Sequence, residues 1–267
     1  MSTKTLMRAR KRFGQNFLVD TQVVEQILSA VSAQPSDHVV EIGPGHGAIT
    51  TGLAASGARL TLIEIDRDLI AGLIAGVVCR DPDRITLINQ DVLTVDFRQL
   101  TGPLRIVGNL PYNISTPVLF QLLDATDWIQ DIHVMLQKEV VQRITAVAGD
   151  PAYGRLGVMI SAVADTEALI DVPPESFQPA PKVDSGVVRI RPNAARRAAI
   201  VNIEHLGWLV RTAFHQRRKT LRNNLKGFVS AELFASLGID PGARPETLPV
   251  ESFITLSNTL VENPNVS

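Results

Sequence analysis

The chain has 267 residues, room for one sizeable α/β domain and a smaller one, and its 45% hydrophobic and 20% charged residues are those of an ordinary soluble protein. No stretch approaches the length needed to span a bilayer, and a single cysteine, Cys79, excludes an internal disulfide framework and fits a reducing, cytoplasmic setting. The net charge of −1 conceals an asymmetry: residues 1–12 hold five Lys and Arg and no acid, residues 13–181 sum to −11, and residues 182–267 sum to +5. Basic ends on an acidic body suggest a polyanionic partner gripped from the ends.

After the basic arm, Val23, Val24, Ile27, Leu28 and Val31 mark an amphipathic helix, with Asp20 or Thr21 as its N-cap. Strands are predicted at Val39–Ile42, Leu60–Ile65, Ile85–Ile88, Leu104–Val107 and Ile132–Leu136. Helices alternate with them at Gly47–Ala55, Arg67–Val78, from Ser115 or Thr116 to Leu123, and Lys138–Val147. This alternation argues for a parallel sheet with helices on both faces, whose ligand site lies beyond the carboxyl ends of the strands. Residues 154–164 read equally as helix or strand, and Thr166–Val172 and Val183–Arg191 read as strands flanking a stiff, proline-rich loop. A linker over Asn193–Asn202 leads to a helical segment in which Leu206, Val210, Ala213, Phe214, Leu221, Leu225 and Phe228 form an apolar stripe. The expected domains are residues 1–195 and a small all-helical domain over 200–267.

Glu41-Ile42-Gly43-Pro44-Gly45-His46-Gly47 joins the first strand to its helix. Glycines there tolerate positive φ and let a ligand approach the backbone. Gly43, Gly45 and Ala48, with Glu64 about twenty residues on, satisfy a dinucleotide fingerprint. The same residues, with Glu64-Ile65-Asp66, resemble the S-adenosylmethionine site of Rossmann-like methyltransferases. Gly43, Glu64, Asp91 and Asn109 each follow a predicted strand, so four strand ends converge on one crevice.

Asn109-Leu110-Pro111-Tyr112 decides between these cofactors, because it resembles the signature of methyltransferases acting on exocyclic base amines. Such an amine is a poor nucleophile, since its lone pair is delocalised into the ring. Two acceptors, the Asn109 side chain and the Leu110 carbonyl, would hold its two hydrogens and stabilise the charge that develops. Tyr112 offers a ring on which to stack the base.

Together with Phe13-Gly14-Gln15-Asn16-Phe17-Leu18 and the run from Phe177 through Pro179, Pro181 and Lys182 to Asp184 and Ser185, these motifs stand in the order found in ribosomal RNA adenine dimethyltransferases. The chain is similar to the small-subunit (kasugamycin-sensitivity) branch of that family. The resemblance implies a Rossmann-like α/β fold, a cofactor S-adenosylmethionine and no metal. It implies that Asn16 and Leu18 close over the methionine part of the cofactor, with Gly43 and Gly45 beneath, Glu64 on the ribose, Asp91 at the adenine amine, and Asn109 between cofactor and substrate. Phe177 would sandwich the target adenine against Tyr112. The expected partner is small-subunit ribosomal RNA in an assembling 30S particle, bound by a monomer without membrane contact.

One departure is Gly157, where the family pattern has serine. In the tail, Arg211, His215, Arg218 and Arg222 fall at helical steps of four, three and four, widened by Arg217, Lys219 and Lys226, with no acid between His205 and Ser230. That stripe suits RNA phosphates. The rival readings are an erythromycin-resistance-type methylase of large-subunit RNA, an NAD-dependent oxidoreductase without a hydride-handling site, and an assembly factor on an inactive methylase fold.

Overall fold

Strand order places the site. The computed structural model describes residues 15–216 and 218–263; the basic arm, Phe13, Gly14 and Arg217 fall outside the described residues. In chain order the elements are β1 (Phe17–Leu18), α1 (Thr21–Val31), β2 (His38–Ile42), α2 (Thr50–Ala55), β3 (Arg59–Ile63), α3 (Arg67–Gly76), β4 (Ile85–Ile88), β5 (Leu104–Asn109), α4 (Ser115–Leu123) and β6 (Ile129–Gln137). They continue as α5 (Lys138–Thr145), α6 (Arg155–Ser161), β7 (Ala164–Val172), β8 (Phe177–Gln178), β9 (Ser185–Pro192), α7 (Ala194–Ala198), α8 (Ile203–Ala213), α9 (Leu221–Asn224), α10 (Ala231–Ser236) and α11 (Val250–Glu262).

Seven strands form one sheet in the order β4-β3-β2-β5-β6-β9-β7. The chain enters at β2, steps outward to β4, then returns to β5 on the other side of β2, so the order reverses between β2 and β5. A crevice at such a switch point is where α/β sheets bind ligands. The sheet is not wholly parallel: β9 runs antiparallel to β6, which the proline-rich loop before it permits without a crossover helix.

Every residue of β2 is buried, as expected of a strand covered on both faces. Val39, Leu60, Leu62, Val107 and Met135 pack with Val23, Ile27 and Val31 of α1, so alternate strand residues supply that face of the core. At the end of the sheet away from the crevice, the Arg105 guanidinium binds Asp131 at 2.7 Å, Asp37 at 2.8 Å and the Val31 carbonyl at 2.7 Å, tying α1 to β5 and β6. Near the crevice, β5 must lie tight against β2. A Cβ on Gly108 would stand 2.6 Å from the Ile42 carbonyl oxygen, so glycine is required there.

The described residues group into two compact units. One runs to Lys138 and resumes over Ala168–Ile190; the other comprises Glu139–Glu167 and the chain from Arg191 onward. The grouping differs from a contiguous division near residue 195, because α5 and α6 group with the later helices.

In the second unit α8 packs against α6, α9 and α11, with Leu206, Leu209, Val210, Ala213, Leu221, Leu225, Phe253 and Leu256 buried. The ambiguous segment is helical as α6, and Gly157 has a local reason. Its Cβ would stand 2.5 Å from the Arg143 carbonyl oxygen of α5, so the glycine allows the two helices to approach. The linker holds a short helix, α7, capped by the Asn193 side chain on the Arg196 N–H.

Candidate functional site

The helix after the glycine loop begins at Thr50 rather than Gly47, because the loop is occupied by left-handed turns. Gly43, Gly45 and Gly47 have φ of 68°, 59° and 83°, a region side-chain-bearing residues rarely adopt. These turns aim the Gly45 N–H at Glu64 Oε2, 3.2 Å away, while Glu64 Oε1 accepts the Asp66 N–H at 2.9 Å. Burial pushes the Glu64 pKa up, against the two N–H groups that favour its charged form.

Glu41, one residue before the end of β2, is more deeply placed at 2% exposure, and its pKa is pushed up to about 7. Burial is the main cause; the nearby Thr50 hydroxyl opposes it and the Glu64 charge adds to it. Glu41 Oε2 nevertheless has no hydrogen-bond partner among the described residues, and Glu41 borders the cavity.

That cavity has a volume of about 820 Å³, and all its lining residues belong to the first unit. Asn16, Leu18, Gly43, Gly45, Glu64, Asp91, Asn109, Leu110 and Tyr112 all border it. Asp91 does so from the cap of a short 3₁₀ turn, where its Oδ1 accepts the Leu93 N–H at 3.0 Å. Asn109 ends β5 next to the switch point, and its Nδ2 donates to the Asn16 carbonyl at 2.9 Å, which leaves Oδ1 as the available acceptor of that amide. The Leu110 N–H is held by the Met135 carbonyl at 3.2 Å. The Tyr112 hydroxyl and the buried Ser185 hydroxyl share a 2.7 Å hydrogen bond that fixes the ring from β9, and burial pushes the Tyr112 pKa up.

Phe177 departs from expectation. It is 4% exposed, packs in the apolar cluster with Leu18 and Val172, and does not border the cavity. The physical reason is β pairing: β8 runs antiparallel to β1, with Leu18 opposite Phe177 and Phe17 opposite Gln178. Beside this ribbon, the Ser176 hydroxyl donates to Asp20 Oδ2 at 2.9 Å and the Val19 N–H bonds the Ser176 carbonyl at 2.9 Å. Phe177 is therefore packed against the Asn16–Leu18 segment through Leu18.

Sequence reasoning gave no role to four residues here. Gln15 Nε2 donates to Asp66 Oδ2 at 2.9 Å, and the Phe17 and His46 rings lie 4.2 Å apart at the cavity wall. Ser185 stood in a quoted motif without a role; only its cross-sheet bond to Tyr112 supplies one.

The tail differs from a single stripe. Helix α8 ends at Ala213, the chain turns, and Thr220 is extended before α9 begins. The Asn224 amide holds that turn through the Gln216 carbonyl at 3.2 Å and the Lys219 carbonyl at 3.4 Å. Arg211 therefore stands on α8, Arg222 on α9, and Arg218 and Lys219 in the turn. All four are exposed, and none forms an ion pair among the described residues.

Comparison with known proteins places the chain in a family. The sequence model of the ribosomal RNA adenine dimethylase family matches residues 6–262. The chain is 53% identical over 251 residues to the ribosomal RNA small subunit methyltransferase A of Laribacter hongkongensis, covering 93% of this chain and 95% of the relative. It is 50% identical to that of Neisseria meningitidis, covering 95% and 96%. Among solved structures, a dimethyladenosine transferase from Plasmodium falciparum superposes with a TM-score of 0.78 at 24% identity, covering 93% of this chain and 97% of that one, and shows the shared fold. The 23S rRNA methyltransferase ErmE gives 0.73 at 27% identity, covering 92% and 100%. The chain belongs to the ribosomal RNA adenine dimethylase family.

Proposed function

We infer that this protein transfers methyl groups from S-adenosylmethionine to the exocyclic amines of two adjacent adenosines in the 3′-terminal hairpin of small-subunit ribosomal RNA, two to each, during small-subunit assembly. The observation that carries the chemistry is the tether from Asn109 Nδ2 to the Asn16 carbonyl, which commits Oδ1 to accepting. The cavity fits the cofactor in size, in its left-handed glycine turns and in the buried Glu64 carboxylate. Asn16, Leu18, Gly43, Gly45, Glu64 and Asp91 would hold it. When bound, it supplies an electrophilic methyl on a sulfonium whose sulfur takes back the electron pair of the broken bond.

The chain's own residues prepare the amine. Asn109 Oδ1 and the Leu110 carbonyl accept its two hydrogens, which draws the lone pair out of conjugation and stabilises the developing ammonium. Tyr112, anchored by Ser185, stacks the base once it is splayed from the RNA. The methylated ammonium loses its proton to water, so no side-chain base is required; the second methyl comes from a second S-adenosylmethionine, onto a monomethylated amine whose one remaining hydrogen is held by one of the two acceptors. Arg211, Arg218, Lys219 and Arg222 contribute phosphate contacts from the second unit.

A resistance-type methylase of large-subunit RNA shares the fold. The relatives at 50% identity and above, named for the small subunit, favour the reading given. The protein acts as a monomer in the cytoplasm, on an assembling 30S particle. The test supplies the protein and S-adenosylmethionine to assembly-stage small subunits that lack the modification, and separately to protein-free large-subunit RNA. Dimethyladenosine should form in the first and not the second; the reverse would assign the chain to the resistance type.

A further inference from the structure

Phe228 belongs to the apolar stripe by sequence, yet it is 44% exposed. Leu221 and Leu225 of the same stripe are fully buried. The turn after α9 explains the difference. Gly227 takes φ of 83°, with nothing within 4 Å of where its Cβ would be, so glycine is needed there for the turn and not for space. The Phe228 and Val229 N–H groups both close on the Leu225 carbonyl, at 3.0 and 3.1 Å. The left-handed turn thus sends Phe228 away from the buried stripe and onto Trp208 of α8.

The two rings meet edge to face, with centroids 5.0 Å apart and planes at 85°. His205 also meets Trp208, its ring 5.1 Å away and tilted by 42°, with its Nδ1 bonded to the Ser257 hydroxyl at 2.8 Å. Trp208 is therefore in contact with two rings while itself only half-buried. Cations flank this ledge: Arg211 is one turn further along α8 and Lys226 two residues before Phe228, both exposed and without an ion pair among the described residues.

We propose that Trp208 and Phe228 form a stacking face for an unpaired base of the ribosomal RNA, with Arg211 and Lys226 on its flanking phosphates. Aromatic rings beside unpaired cations match a splayed nucleotide, which presents a π face and a phosphate together. This face belongs to the second unit and is separate from the catalytic cavity; it rests on the functional reading above for the identity of the RNA.

The chain has two tryptophans, Trp128 and Trp208, so full-length protein carrying Trp128→Phe reports emission from Trp208 alone. Its probes are a short oligoadenylate and a ribose-phosphate chain of the same length without bases. Oligoadenylate should quench Trp208 and the abasic chain should not. Adding Phe228→Ala should weaken oligoadenylate binding roughly five-fold or more with an unchanged salt slope, while Phe228→Tyr retains it. Equal responses to the two probes, or unaltered affinity in Phe228→Ala, would overturn the proposal. So would emission that responds to assembled small subunits but to no free RNA, which would assign the face to a protein partner. Base-dependent quenching supports the face whether or not the chain methylates small subunits, so its failure and that of the functional reading are read separately.

Discussion

Asn109 and Asn16 stand 93 positions apart in the chain, yet the Asn109 side-chain N–H donates to the Asn16 carbonyl at 2.9 Å. The Asn109 amide is thereby oriented by the same segment that borders the cavity. That segment is in turn paired with β8, so Asn109, the Asn16–Leu18 segment and Phe177 are joined by one run of hydrogen bonds, side-chain at Asn109 and backbone between β1 and β8.

Asn109→Ala should leave S-adenosylmethionine affinity within several-fold and lower kcat by roughly two to three orders of magnitude, the scale of losing one preorganised electrostatic partner. Steady-state kinetics and cofactor calorimetry check it. A sharp rise in the cofactor KM with kcat intact would make Asn109 a binding residue instead.

Phe177→Ala should lower the unfolding free energy by about 3–5 kcal/mol, the usual cost of emptying a buried phenylalanine site. It should also weaken cofactor binding, because Leu18 loses its cross-strand partner. Phe177→Leu should recover much of both. If Phe177→Ala keeps its stability and cofactor affinity but slows transfer, the ring serves the base and not the packing against Leu18.

Glu41 supplies a pH test. Its folded pKa of about 7 lies above the ordinary 4.5, so between those values the folded chain keeps a proton that the unfolded chain has released. Stability from this group is complete below about pH 4.5 and declines as pH rises through 7, by on the order of 3 kcal/mol. Glu41→Gln should match the unmodified protein at low pH and exceed it above pH 7 in urea denaturation without cofactor. Parallel curves for the two proteins would refute the shift.

Gly157→Ser should destabilise the second unit by about 1–3 kcal/mol, the range for overpacking, since its Cβ would press on the Arg143 carbonyl. Thermal unfolding measures this; an unchanged midpoint would mean that α5 and α6 separate freely.

Replacing Arg211, Arg218 and Arg222 together should weaken RNA binding and flatten its salt dependence, each lost phosphate contact removing about 0.7–0.9 from the log–log slope. Cofactor affinity should not move. Weaker binding with an unchanged slope would mean that these arginines do not meet phosphates.

The strand–helix alternation, the glycine loop, the acidic residues at strand ends and the Asn109-Leu110-Pro111-Tyr112 turn were all legible in the residues alone. Each of these is a local requirement of backbone conformation or chemistry, written in neighbouring residues. What depends on distant partners came from the folded arrangement. Phe177 is apolar and sits in a functional motif, but pairing with Leu18 buries it. Phe228 continues a helical apolar pattern, but Gly227 turns it out onto Trp208. The arginine periodicity persists across a break in the helix, because spacing in sequence does not reveal that the turn closes on the Asn224 amide. The orientation of Asn109 was equally hidden, since either end of an amide can face a cavity until a carbonyl 93 residues away takes its N–H.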